Sequence, residues 1–316
     1  MKILVLSLGV SLSFSRFLSQ EKALTKIEEI EKVKLNAVEF GLLNCAIGQA
    51  GFSGIVPFPT EKQAKSILKL FGKNNYYFSV HAPYRISATT EEKSKLKYSK
   101  SNLSATLKVT DWLGGHHVTF HAGSFKKKHN NKHVDKVLRS WEKWRQDKGY
   151  NAILAPEVGG KYNSFADFFT LVEITGGIDN CLMTWDISHD FARGGKIIDE
   201  KGILTRLEKL DEAFDLNPSN RLPMHFSGMV VGKTGEKHHT LLGKGNGVPW
   251  ELVLSVLKEQ NFLSKVNLIC ESKVPKGEKM SGNAISDTLK ARRFLESDQI
   301  VKKYKGKPGN LNYYFT

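Results

Sequence analysis

Short apolar runs recur along the chain, each bounded by polar or turn-forming residues. They are 2–9 (KILVLSLG), 36–42 (NAVEFGL), 76–81 (YYFSVH), 117–121 (HVTFH), 151–157 (NAILAPE), 181–187 (CLMTWDI), 222–226 (LPMHF) and 266–271 (VNLICE). Brief runs of this kind are expected of strands covered on both faces. The segments between them carry helical periodicity. Residues 91–113 place Leu96, Leu103 and Leu107 on one face, and residues 131–146 do the same with Val134, Leu138 and Trp141. Residues 249–258 open with Pro249, a favoured first-turn residue. Further helices fit 20–34, 60–72, 163–175, 203–214 and 284–297. A strand followed by a helix, eight times over, predicts a parallel sheet. Eight such units predict an α/β fold, a single (β/α)₈ TIM barrel, with an open doubly wound sheet as the other arrangement that alternation permits. No Pro/Gly/Ser-rich linker divides the chain, so the barrel is expected over residues 1–300, followed by a basic and aromatic tail over 301–316.

Composition narrows the partners. The chain has 316 residues, of which 40% are hydrophobic, enough for a sizeable core. Lys plus Arg number 47 against 32 Asp plus Glu, a net charge of +15. Such an excess favours a polyanion, either nucleic acid or an anionic membrane surface. The apolar stretch 3–10 is too short to span a bilayer and has no convincing cleavage site, so it reads as a buried first strand and no membrane is expected. Cys45, Cys181 and Cys270 are far apart and form no CxxC pair. Neither a disulfide framework nor a cysteine zinc site is implied, and a reducing compartment fits.

The chemistry lies in where the ionisable residues fall. His81, His121, Glu157, Asp186, His225 and Glu271 close the third to eighth strands, His189 follows Asp186 by three residues, and Glu236 and His238 occupy the loop after the seventh strand. In a barrel all of them gather at the C-terminal face of the strands, where such folds place their sites. One histidine or carboxylate at a strand end is commonly a packing or capping residue. A whole ring of them would be costly to bury without a compensating cation. Imidazole and carboxylate without thiolate suit zinc, with manganese or iron as other candidates. The donors exceed what one ion needs, so two or three ions sharing a carboxylate are expected.

The strings HAPY (81–84), FHAGSF (120–125), PEVGGK (156–161), WDISHDFARGG (185–195), HFSG (225–228), EKHHTLLGKGNG (236–247) and CES (270–272), taken in order, resemble the endonuclease IV family of apurinic/apyrimidinic endonucleases. The resemblance implies a (β/α)₈ barrel with three zinc ions. His81, His121 and Glu157 would hold one, Glu157 would bridge to a second held by Asp186, His225 and Glu271, and His189, Glu236 and His238 would hold the third. Glu157, Glu271 and Tyr84 are the catalytic candidates, Tyr84 matching a site tyrosine that contacts DNA or orients ligands. The implied reaction is hydrolysis of the phosphodiester 5′ to an abasic site in double-stranded DNA, using water activated on zinc. Arg85, Lys126, Lys127, Lys128, Arg193 and Lys237, with Lys161, Lys196, Lys233, Lys244 and Lys273, follow strand ends and would meet DNA phosphates.

Three features depart from the family pattern. Glu236 replaces the usual Asp of the Asp-x-His pair, Ser227-Gly228 replaces a polar pair, and the 44–58 loop is small and apolar instead of carrying the lesion-reading residues. An alternative enzyme class is a xylose-isomerase-like sugar isomerase or epimerase, for which Glu157, Asp186, His225 and Glu271 would suffice. A barrel that only binds DNA is a third reading, disfavoured by the intact ligand set. The nuclease is expected to be a monomer in the cytoplasm, associated with the nucleoid, or in the nucleus of a eukaryote. Within the tail, Leu311, Tyr314 and Phe315 have the spacing of sliding-clamp-binding peptides, although the usual leading Gln is Pro308; packing of the aromatics on the barrel is the preferred reading.

Overall fold

A computed structural model describes residues 6–14, 17, 20–47, 55–72, 76–125, 130–277 and 280–304. Lys126, Lys127 and Lys128, part of the 44–58 loop, and the clamp-like residues of the tail lie outside the described residues.

Eight strands form one parallel sheet. They are β1 (Ser7–Ser13), β2 (Ala37–Gly41), β3 (Tyr77–His81), β4 (His117–Phe120), β5 (Ile153–Pro156), β6 (Trp185–Asp186), β7 (Leu222–Phe226) and, after the antiparallel pair β8 (Gly228–Gly232) and β9 (Gly235–Thr240), β10 (Val266–Cys270). Their order is β5-β4-β3-β2-β1-β10-β7-β6. Residues 181–184, leading into β6, close the ring by pairing with β5: Leu154 bridges Cys181 and Glu157 bridges Thr184, with Leu182 N donating to Leu154 O and Thr184 N to Pro156 O. The expected (β/α)₈ barrel is therefore the fold.

Nine α-helices occupy the described residues. α1 (Gln20–Lys32), α2 (Glu61–Leu70), α3 (Lys93–Trp112), α4 (Asn131–Asp147) and α5 (Phe168–Gly176) follow the first five strands. α6 (Ile187–Ala192) and α7 (Glu200–Ala213) follow β6, α8 (Trp250–Glu259) follows β9, and α9 (Ala284–Glu296) follows β10. None of the helices is long and apolar enough to cross a membrane.

Two expectations are corrected. The first strand runs on to Ser13, past the expected end at residue 9, because Leu8, Val10 and Leu12 continue the alternation; residues 2–5 of the expected run lie outside the described residues. The stretch after β7, expected to be a loop, is the β8–β9 hairpin.

Side-chain alternation sorts each strand into two faces. Phe40 and Phe78 pack against Phe71 at the end of α2, so they face the helices. The alternate residues Glu39 and Ser79 then face the barrel lumen. That lumen is unusually polar: buried Ser7 donates to Asn267 at 2.5 Å, and the Thr119 and Thr184 hydroxyls meet at 3.1 Å.

One buried ion pair sets α6 in place, and with it His189. The Asp190 carboxylate accepts from Arg206 Nε at 2.6 Å, Arg206 Nη2 at 3.0 Å and Trp185 Nε1 at 3.1 Å. Arg206 also lies over the rings of Phe168 and Phe169. Removing one partner of such a pair leaves a buried charge uncompensated. Asp190→Ala should cost about 3 kcal/mol or more of unfolding free energy in a denaturant titration. A loss of only a few tenths would show that the pair does not hold α6.

Candidate metal centre

Six strands deliver their last side chains to one mouth. His81 is the final residue of β3, His121 and Glu157 directly follow β4 and β5, Asp186 ends β6, His225 lies within β7, and Glu271 follows β10. Parallel strands in register make this convergence unavoidable, since their C-terminal ends share one rim.

Among the described residues, the donor atoms form three groups, each with all its atoms within 4.8 Å of one another. The first is His81, His121 and Glu157; the second Glu157, Asp186, His225 and Glu271; the third Asp186, His189 and His239. Glu157 belongs to two groups and its two oxygens divide between them. Oε2 is 3.2 Å from His81 Nε2 and 3.3 Å from His121 Nε2, while Oε1 is 2.9 Å from His225 Nδ1. Glu236 lies beside the third group, its Oε2 3.5 Å from His189 Nε2.

The charges balance only as a unit. Burial disfavours charge on every member, yet with no cation present Glu39, Glu271 and Glu157 outweigh burial and raise the pKa of His225 well above the ordinary imidazole value. His189 is likewise opposed by burial but raised to about 9 by Asp186, Glu236 and Glu157. His121 goes the other way: burial drives it down to about 4 against the pull of Glu157. Burial also lowers His239, reinforced by neighbouring His189. For Glu157, burial favours the neutral acid, and the surrounding imidazoles overcome it and keep the carboxylate ionised.

Three features fit this donor set to cations. Asp186 caps α6 through Oδ1, which accepts from Ser188 N at 2.6 Å and His189 N at 2.8 Å, leaving Oδ2 buried without a hydrogen-bond partner. Next, His189 Nε2 and His239 Nε2 face each other at 3.1 Å, an arrangement that needs a proton or a cation between them. Finally, one ring nitrogen of each of three imidazoles is anchored: His81 Nδ1 on Ala82 O, His189 Nδ1 on Val158 O and His239 Nδ1 on Ser227 Oγ. Such anchors orient metal-binding imidazoles and leave the other nitrogen as the donor. The groups can therefore hold metal ions.

The third group corrects one expected ligand: the structure brings His239, not His238, to the centre. The cause is a register shift between Val230 and Val231, where Val230 pairs with His238 but Val231 pairs with Glu236, so Lys237 is the extra residue. A bulge turns the strand by one position, putting Glu236 and His239 on the same face. Ser227 gains a purpose from this, since its hydroxyl sits 2.7 Å from His239 Nδ1.

The other expected residues are placed as follows. Tyr84 is 59% exposed on the rim, its ring stacked on His121 at 5.2 Å and 14°. Arg85 and Lys237 are exposed, as are Lys161, Lys233, Lys244 and Lys273. Arg193 is engaged elsewhere: its Nη1 donates to Lys161 O at 2.8 Å and Ser164 O at 2.7 Å, pinning the 159–164 loop. Sequence reasoning missed Glu39, which is fully buried and 3.2 Å from His225 Nε2. The signal was present, an ionisable residue in the middle of the apolar run 36–42.

Residues 28–297 match the family described as xylose isomerase-like TIM barrel. The chain belongs to that family. An uncharacterized protein of Methanocaldococcus jannaschii is 28% identical over 260 residues, covering 81% of this chain and 88% of the relative. Endonuclease IV from Thermus thermophilus superposes with a TM-score of 0.63 at 18% identity, covering 91% of this chain and 98% of that one. A D-allulose 3-epimerase from Methylomonas sp. does so with 0.62 at 15% identity, covering 92% and 98%. The xylose isomerase-like fold thus houses both a nuclease and epimerases at equal structural distance from this chain.

The register shift generates a direct test. His239→Ala should lower metal content, read by elemental analysis of the purified protein, whereas His238→Ala should leave it unchanged. The reverse pattern would restore His238 as the donor.

Proposed function

We propose that the chain is a metal-dependent DNA phosphodiesterase, cutting 5′ to abasic sites in double-stranded DNA, with zinc as its metal. The observation that carries this reading is the joining of three donor groups through two shared carboxylates, Glu157 and Asp186. A sugar isomerase needs only the set Glu157, Asp186, His225 and Glu271. It has no use for His81, His121, His189, Glu236 and His239 arrayed beside it. Phosphodiester hydrolysis does, because charge develops at the attacking, non-bridging and leaving oxygens together.

Bound divalent cations would supply Lewis-acid stabilisation of the phosphate and lower the pKa of water. The chain's own residues do the rest. Glu157 would help to hold the cations, with Oε2 toward His81 and His121 and Oε1 toward His225. Asp186 offers its unpartnered Oδ2 to the centre while its Oδ1 is fixed by two backbone amides. Tyr84 presents a ring at the rim, braced by His121, against which a sugar lacking its base can lie. Arg85 and Lys237 flank the mouth where phosphates approach, and the net charge of +15 draws a polyanion there.

The test is incision of a labelled duplex containing a single abasic analogue. A product with a 3′-hydroxyl end, abolished by a chelator and restored by zinc, is expected. Glu157→Gln should slow cutting roughly 100-fold or more, the scale on which loss of one preorganised charge acts, while gel-shift affinity for the duplex stays close to wild type. A protein that leaves the duplex intact but interconverts ketohexoses would overturn the nuclease reading in favour of the epimerases.

A further inference from the structure

We propose that Glu39 is a positioning residue for the metal centre, fixing from inside the barrel which nitrogen of His225 is offered to the cations. The inference rests on the metal reading of the centre and is independent of which reaction that centre runs.

Glu39 sits in the middle of β2, between Ser11 of β1 and Ser79 of β3, with its side chain in the lumen beneath the centre. It is fully buried, and its ion-pair partner among the described residues is His225. Its Oε2 lies 3.2 Å from His225 Nε2 and accepts from Ser79 Oγ at 3.3 Å and Thr119 Oγ1 at 3.2 Å. Its Oε1 is buried with no hydrogen-bond partner. A buried carboxylate held in this way is costly, and a Gln or an apolar side chain would fill the space at less expense.

The opposite edge of the His225 ring shows what the charge is for. Nδ1 is 2.9 Å from Glu157 Oε1 and 3.7 Å from Glu271 Oε2, so it points into the four-donor group. His81 is turned the other way round, with Nδ1 anchored on the Ala82 carbonyl and Nε2 3.2 Å from Glu157 Oε2. At His225 the inverted ring meets no carbonyl; a carboxylate takes its place. Donation of Nε2–H to Glu39 leaves the lone pair on Nδ1, the tautomer a cation requires, and a charged acceptor makes the imidazole a stronger donor than a carbonyl would. The hydroxyls of Ser79 and Thr119 keep the carboxylate from swinging away.

Glu39→Gln is the decisive variant, because the amide fills the same space and its oxygen can still accept from His225 while the charge is gone. Metal affinity is measured by chelator titration with zinc alone. One of the bound ions should loosen by about 10- to 100-fold, the usual cost of losing an outer partner of a metal-binding histidine, with the remaining ions held as in wild type. Nitrogen-15 spectra of histidine-labelled, zinc-loaded protein should show His225 as the Nε2–H tautomer in wild type and as a mixture in the variant. Unchanged affinity with an unchanged His225 signal would overturn the proposal. So would a uniform loosening of every ion accompanied by a lowered melting temperature, which would mark Glu39 as a packing residue. Because the readout is metal binding, these outcomes stand whether or not the protein cuts DNA.

Discussion

The carboxylate of Glu157 has to satisfy two neighbouring groups of imidazoles at once, and much of the barrel mouth follows from that. It directly follows β5, fully buried, with one oxygen toward His81 and His121 and the other toward His225. A lone carboxylate in that place would take up a proton. The ring of histidines prevents this, and the histidines in turn depend on Asp186, Glu236, Glu271 and Glu39 to offset their burial. Removing one member leaves the charge of its neighbours less well compensated, so the donors act as a network.

Much of this was legible in the chain itself. Apolar runs alternating with helical periodicity gave the barrel, and closure then dictated that residues at strand ends share one rim. The ends of β3, β4, β5, β6, β7 and β10 could be read directly because a buried parallel strand announces its last residue by an abrupt turn to polar. What escaped was set by tertiary register. His238 and His239 are adjacent and chemically identical, and only the bulge at Lys237 decides which of them faces inward. Glu39 escaped for a different reason: it lies in mid-strand, and which face of a doubly covered strand is the lumen cannot be read from a run that is apolar on both sides. The described lysines expected to meet phosphates are exposed, but Arg193 serves the 159–164 loop, a use that depends on carbonyl positions no pattern reveals.

The xylose isomerase-like family frames what is distinctive about the centre. Endonuclease IV and a sugar epimerase superpose on this barrel about equally well, so the fold leaves the reaction open. The distinction lies in the donors flanking the four-residue set, contributed by β3, β4, α6 and β9. These come from separate parts of the chain, each with its own anchoring partner. Ser227 serves His239, Val158 O serves His189 and Ala82 O serves His81.

Anomalous diffraction at the zinc edge from crystals of the zinc-loaded protein tests this most directly. The account predicts separate peaks, one between His81, His121 and Glu157, one within Glu157, Asp186, His225 and Glu271, and one beside His189, Glu236 and His239. A single peak confined to Glu157, Asp186, His225 and Glu271, with the flanking histidines hydrogen-bonded only to protein and water, would contradict it.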